Sequence, residues 1–424
     1  MTRSSTPIFP VLLVNFIGFL GYSLIIPLLV FLVQDFGGNA FIYGLMGAIY
    51  PAFQLIGAPL LGQWSDRVGR RRALLVSQIG TFLAWCLFIV SLLLPVNEIL
   101  GINSTAFGAF SLSIPLLLLF VARALDGLTG GNVSVANAYM SDISDDSNRK
   151  ANFGKLGAST SLGFVIGPAA AGILGSTALG TLLPVAAAAI VSLVAILVIY
   201  FYLPESRPEL VHAAADDQRW FQKLFGVEHK DCYDQAKKKE HGFWAVWRVP
   251  GVPLLFLLYF LTFFGFSFFY SGLPILASNQ LGWDAATLGL FFALSSVVMI
   301  LTQGPLLSFL SSRLSDKTLV IVGSLLLSSS FLFFPVATSF WVYCGVVVLS
   351  LGNGLMWPSF LSILGRSGPQ EKQGALQGYA NSMGSAASIL GLIGGGTLYA
   401  WLGAEVFFLA AGLIFLIFLL AWRL

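Results

Sequence analysis

The chain has 424 residues, of which 57% are apolar and only 10% charged, with a formal net charge of +3. A soluble globule of this length carries roughly a quarter charged residues, so the composition excludes one. A mean hydropathy of +0.86 and repeated apolar runs of bilayer-spanning length point instead to an all-α, polytopic membrane protein.

The first apolar run, 8–33, is too long for the core of a cleavable signal peptide and reads as the first span. Further spans are expected at 41–64, 73–95, 113–140, 151–174 and 181–203. After a polar segment at 204–249 come 250–278, 286–311, 318–336, 340–364, 372–400 and 402–422. The expected organisation is an N-terminal six-helix bundle (1–203), a cytoplasmic linker (204–249) and a C-terminal six-helix bundle (250–424). In the linker, "RWFQKLF" puts Trp220, Phe221, Leu224 and Phe225 on one side of a short interfacial helix.

Every lysine and arginine except Arg123 falls in a segment on one side of this layout. The positive-inside rule makes that side cytoplasmic, with both termini there. Asn103-Ser104-Thr105 is then a sequon on the outer side. Cys86, Cys232 and Cys344 are scattered, and His212, His229 and His241 all lie in the linker. Neither set makes a metal or disulfide pattern, so no cofactor or metal is expected. No buried nucleophile–base pair is visible, so an enzyme is disfavoured.

Two ionisable groups are left inside the spans. Arg123 and Asp126 are three residues apart on the fourth helix and share a face. At 1.5 Å per residue from the helix start, Arg123 is roughly 15 Å deep. Charges at that depth are costly and usually face a cavity. A proton and substrate station is the expectation; an ion pair internal to the helix is the alternative. The buried neutral groups Asn15, Tyr50, Gln54, Asn137, Gln303, Asn353, Trp357, Gln377 and Asn381 are candidates to line a cavity for an amphipathic substrate of low charge. The run "FFGFSFFY" from Phe263 covers all faces of a helix, so only part of it can face such a cavity.

The halves echo each other. "APLLGQWSDRVGRRRALLV" from Ala58 aligns with "GPLLSFLSSRLSDKTLVIV" from Gly304, and "GYS" at Gly21 with "GFS" at Gly265. Related six-helix halves that rock about a midplane site are a common transporter plan.

Three stretches carry a family resemblance. "GQWSDRVGRR" from Gly62 resembles the loop signature of the major facilitator superfamily, "RALDGLTGGN" from Arg123 its fourth-helix signature, and "GFVIGPAAAG" from Gly163 the fifth-helix motif of its antiporter branches. The chain is identified as a member of that superfamily, similar to the twelve-helix drug:proton antiporter branch that includes tetracycline exporters. The resemblance implies two pseudo-symmetric six-helix bundles and alternating access. It implies a cytoplasmic latch built from Gly62, Asp66, Arg67, Gly69 and Arg70, with Asp142 as the expected partner of Arg70. It implies a kink that seals the path at Gly163, Gly167, Pro168 and Gly172, and a coupling role for Arg123. The chain departs from the tetracycline exporters in the first helix. They commonly carry an acid nine positions before a proline; counting back from Pro27 gives Gly18.

The expected function is a secondary active transporter in the cell membrane that exports a small, drug-like amphipathic compound by proton antiport. A facilitator or importer of a nutrient, siderophore or other metabolite is one alternative, and a non-transporting membrane receptor another. The expected partners are a small-molecule substrate, protons and the lipid bilayer, with no nucleic acid, and the chain is expected to be a monomer.

Overall fold

The computed structural model describes residues 8–105, 107–130, 132–144, 149–206, 243–367 and 373–424. The expected interfacial helix at 220–225 lies outside the described residues.

The helix α1 (Phe9–Asp35) starts with proline in its first turn, where the missing N–H would have no helical partner anyway. Asn39 caps α2 (Ala40–Val68) by accepting from the Ile42 N–H at 3.1 Å. Gly69, at φ +99°, turns the chain directly into α3 (Arg70–Leu93).

The loop after α3 is an antiparallel hairpin, β1 (Glu98–Ser104) and β2 (Gly108–Ser113). The sequence reading contained no strand. The hairpin is ordered by the turn beneath it. Ser111 N donates to Gly37 O at 2.9 Å, the Ser113 hydroxyl to Phe36 O at 2.8 Å, and Asn39 Nδ2 to Phe107 O at 2.7 Å. Phe107 stacks on Phe41 with ring centres 4.4 Å apart.

The fourth crossing is broken into α4 (Ile114–Thr129) and α5 (Asn132–Ile143). A break inside a membrane is tolerated where neighbours take up the freed backbone groups. Here the Ser77 hydroxyl donates to Thr129 O, and Gln54 Nε2 donates to Gly130 O at 3.0 Å. Two more helices, α6 (Arg149–Gly175) and α7 (Leu182–Tyr202), complete the first half.

The second half contains α8 (Val252–Asn279), α9 (Ala285–Leu301), α10 (Leu307–Ser311), α11 (Asp316–Ser330), α12 (Ser339–Arg366), α13 (Gln373–Leu402) and α14 (Val406–Ala421). Asp284 caps α9, and its hydrogen bonds to Thr287 hold the carboxyl below its ordinary range. A π-helical turn at Thr302–Leu306, containing Pro305, joins α9 to α10 in one crossing.

Eleven stretches among the described residues are long and apolar enough to cross a membrane. The last of them, Leu376–Ala421, contains two helices and the left-handed turn at Gly403 (φ +58°). α13 runs parallel to α8, with Gly384 against Tyr259 and Gly395 against Ser271. α14 returns along the same helix, with Phe407 against Gly272 and Ile414 against Gly265. The described residues therefore make twelve crossings, those of a multi-pass membrane protein.

The ends that carry Arg67, Arg70, Arg71, Arg72, Arg313, Lys317, Arg366 and Arg423 form a basic face. The halves meet near the other face. Gln34 on α1 donates to Asn279 Oδ1 at 2.9 Å and accepts from Ser278 at 2.8 Å on α8, and the Tyr43 hydroxyl donates to Tyr270 O at 2.9 Å. Gly44 abuts Gly396, and Gly172 abuts Gly289. Small residues let backbones approach this closely in a membrane.

Candidate functional site

A cavity of about 700 Å³ lies between the two halves. The contacts between halves seal it toward the face opposite the basic one, where Leu29, Tyr43, Tyr270 and Leu392 line it. It extends past Pro59 and Asn137 of the first half and Tyr259 of the second. Of the candidate residues, Tyr50, Gln54, Arg123, Asn137, Asn353, Trp357 and Asn381 line it. Asn15, Gln303 and Gln377 do not. Asn15 is buried and its amide donates to Leu156 O, Ser159 Oγ and Thr160 Oγ1 at 2.8–3.1 Å, bracing α1 against α6. Gln303 is in the π turn and Gln377 is exposed on α13.

The cavity also contains residues that the sequence did not single out: Tyr22, Tyr43, Tyr259, Phe164, Ser385 and Ser388. Tyr22 was visible only as the centre of the repeated "GYS". From the aromatic run, Phe263, Phe266 and Tyr270 face the cavity, whereas Phe268 and Phe269 pack into the core.

Arg123 is the only charged residue among the described ones lining this space. Its Nη1 lies 3.5 Å from Asp126 Oδ2, and its guanidinium sits 4.7 Å over the Tyr50 ring. Gln54 Nε2 in turn donates to the Tyr50 hydroxyl at 3.1 Å. The Arg123 Nε is buried without a hydrogen-bond partner. Asp126 opens elsewhere. It lines a second cavity of about 10 Å³, shared with Thr81 and Trp85 of α3 and Gly21 of α1. That is about the space of one water molecule. Gly18, Tyr22, Tyr50 and Gly130 line both cavities and form the wall between them.

At the basic face Arg70 is only 4% exposed. Its Nη2 donates to Asp66 Oδ1 at 2.6 Å and its Nε to Asp142 Oδ2 at 3.0 Å, while Nη1 reaches Ser65 Oγ. Ser206 also donates to Asp142, at 3.1 Å. Glu205, expected only as one of the acidic residues of the linker, caps α3: its carboxylate accepts from Arg70 N at 2.8 Å and Arg71 N at 3.0 Å. A carboxylate at a helix N-terminus satisfies free N–H groups and opposes the helix dipole. Gly69 is the residue that leaves room for it, because a Cβ there would stand 2.4 Å from Glu205 Oε2. Gly62 faces open space, and Arg67 is exposed. These described contacts tie α2, α3, α5 and the segment after α7 together within the first half.

The α6 motif lies along two interfaces. A Cβ on Gly163 would meet Phe16 O at 2.8 Å, and one on Gly167 would meet Leu20 O at 2.8 Å, both on α1. Gly172 faces the second half, where a Cβ would stand 2.8 Å from Ala286 O on α9. α6 continues as a helix through Pro168, and a Cβ on Gly289 would stand 2.8 Å from the Pro168 carbonyl.

Comparison with known proteins agrees with this architecture. The model of the Major Facilitator Superfamily matches residues 11–250 and 255–424. The chain is 27% identical over 414 residues to the class D tetracycline resistance protein of Salmonella ordonez, covering 96% of this chain and 92% of that one. It is 25% identical to multidrug resistance protein 2 of Bacillus subtilis (strain 168), covering 97% of this chain and 93% of the relative. In fold it is similar to the human organic anion transporter MFSD10 (TETRAN), with a TM-score of 0.65, 22% identity and 98% of each chain covered. The family and these relatives are transporters of small molecules, not enzymes. With twelve crossings, a cavity between two related halves and a family match over nearly its whole length, the chain belongs to the major facilitator superfamily.

Proposed function

We propose that this protein is an alternating-access secondary transporter that exports a small amphipathic compound, with Arg123 and Asp126 coupling the movement to proton entry. The observation that carries this reading is the cavity itself. It lies between the halves, is sealed toward one face, and has an ion pair in its wall. With the basic face cytoplasmic, this is an inward-facing arrangement ready to load from the cytoplasm. The relatives named for tetracycline and multidrug resistance support export and a drug-like substrate. Gly18, the position where the resemblance leads one to expect an acid, lines the same small cavity as Asp126, so Asp126 supplies from α4 the carboxylate that α1 lacks. The Gly172–Gly289 contact is the closed gate of one face, and the latch residues, tied here within the first half, are the gate of the other, open in this arrangement.

One observation favours a second reading of the coupling. Direct competition between substrate and proton needs the acid to face the substrate, and Asp126 is behind Tyr22 and Tyr50. Arg123 then relays between them, and a substrate that draws Arg123 away from Asp126 moves with the proton rather than against it.

The test is transport in proteoliposomes. A thermal-shift screen of drugs, siderophores, lipids and metabolites selects a probe, and its flux is followed under an imposed pH gradient of either sign. Uphill movement against the proton gradient supports antiport, and movement along with protons supports the second reading. Flux indifferent to the gradient rejects both. Ligand binding with no flux at all favours a receptor.

A further inference from the structure

We infer that the cavity takes an amphipathic organic anion, an aromatic or alicyclic body bearing one carboxylate or comparable acid, and that Arg123 is its ligand. The inference rests on the transporter reading above, but not on the direction in which protons move.

The charge distribution is the first argument. Among the described lining residues Arg123 alone is charged, and the other polar groups are tyrosines, amides and hydroxyls. The nearby acid is walled off in the water-sized cavity. What a substrate meets is therefore the positive end of the ion pair. Among the described lining residues no carboxylate offsets that positive end on the substrate's side, and in a site of low dielectric the nearer charge of a pair weighs more in recognition.

The second argument is the unused capacity of the guanidinium. Arginine carries five N–H donors in a planar fork suited to carboxylates. Asp126 approaches one of its nitrogens at 3.5 Å, longer than the 2.7–2.9 Å or so of a charge-assisted hydrogen bond. Nε has no partner either, but it is buried, so the donors within a substrate's reach are those of the terminal nitrogens. A buried donor left unmade is costly. The Tyr50 ring beneath it and Gln54 beyond hold the fork in place, so an incoming acid meets a positioned group.

The rival is a cation held by aromatic rings. Tyr259, Phe263 and Trp357 line the cavity and would be that cage. They pack on one another instead, with ring centres 5.0–5.4 Å apart. A cation there would also face Arg123, with no carboxylate among the described lining residues to offset it. A cavity of about 700 Å³ falls within the range of about 300–1,000 Å³ that suits drug-sized ligands.

The experiment measures binding of three matched fluorescent probes, pyrenebutyrate, pyrenebutanamide and pyrenebutylammonium, to the purified full-length protein. The carboxylate is expected to bind about tenfold or more tightly than either congener, the scale of a hydrogen bond to a charged group. Arg123→Gln should erase the preference and Arg123→Lys retain part of it. If Arg123→Gln does not yield folded protein, Arg123→Gln/Asp126→Asn removes both charges and gives the same readout. Equal or tighter binding of the amide or ammonium overturns the inference while leaving the transporter reading intact, as does a carboxylate preference that survives loss of Arg123. Failure of all three probes to bind counts against an amphipathic substrate altogether and removes this inference with it.

Discussion

Arg123 and Asp126 are one helical turn apart and paired, with Nη1 3.5 Å from Oδ2, yet they open onto different spaces. The arginine lines the large cavity between the halves, and the aspartate lines a cavity the size of one water. Tyr22 and Tyr50 separate them, with ring centres 5.1 Å apart. A charge introduced on one side is therefore felt on the other through the guanidinium rather than by direct contact.

The first prediction concerns where the carboxylate has to be. Gly18 lines both cavities, so Gly18→Asp puts an acid on α1 beside the space that Asp126 occupies. The double variant Gly18→Asp/Asp126→Asn should recover part of the pH-driven flux that Asp126→Asn loses. Flux measured in proteoliposomes that stays at the single-variant level would mean the acid must come from α4.

The basic-face network gives graded effects. Asp142 is 11% exposed and Asp66 55%. Asp142→Asn leaves the buried Arg70 short of a charge-assisted bond, worth about 1.5–3 kcal/mol. Asp66→Asn costs about 0–1 kcal/mol, because water screens that partner. Thermal unfolding in detergent should rank the variants in that order. Both should slow transport, since both loosen a contact proposed to act as a gate, and unchanged flux in Asp66→Asn would reject the latch role.

The opposite face provides a conformational test. Gly172→Val forces a side chain into the α9 backbone at Ala286 and Gly289 and should hold the halves apart there. Gly157→Val is the control, because a Cβ at Gly157 meets nothing within 4 Å. Reagents applied from that face should reach Tyr43→Cys faster in the first variant than in the second. Equal rates would show that the glycine contact does not close the cavity.

Topology follows from labelling on a background lacking Cys86, Cys232 and Cys344. Asn103→Cys, in the hairpin, should react only from outside, and Lys238→Cys only from inside. The reverse pattern overturns the orientation.

The spans were legible because bilayer thickness imposes long apolar runs, and the ion pair because so few charges lie within those runs. The hairpin at 98–113 was not, because its order comes from contacts with Phe36, Gly37 and Asn39, distant in sequence. Asn15 and Asn381 look alike in sequence, each an amide inside an expected span. One braces two helices of the first half and the other lines the cavity, and only packing distinguishes them. Glu205 was hidden for a related reason: its role as a cap depends on the end of α7 meeting the start of α3. The separation of Arg123 from Asp126 was also beyond the sequence, since the wall between them is made by residues of α1 and α2 together with Gly130 at the end of α4.

The most direct test of the account is proton-driven transport by Asp126→Asn in proteoliposomes. The substitution keeps the shape of the side chain and removes its titration. The account predicts that the variant no longer moves substrate in response to a pH gradient of either sign, while still exchanging substrate down its own gradient. Accumulation against a gradient with wild-type pH dependence would contradict it.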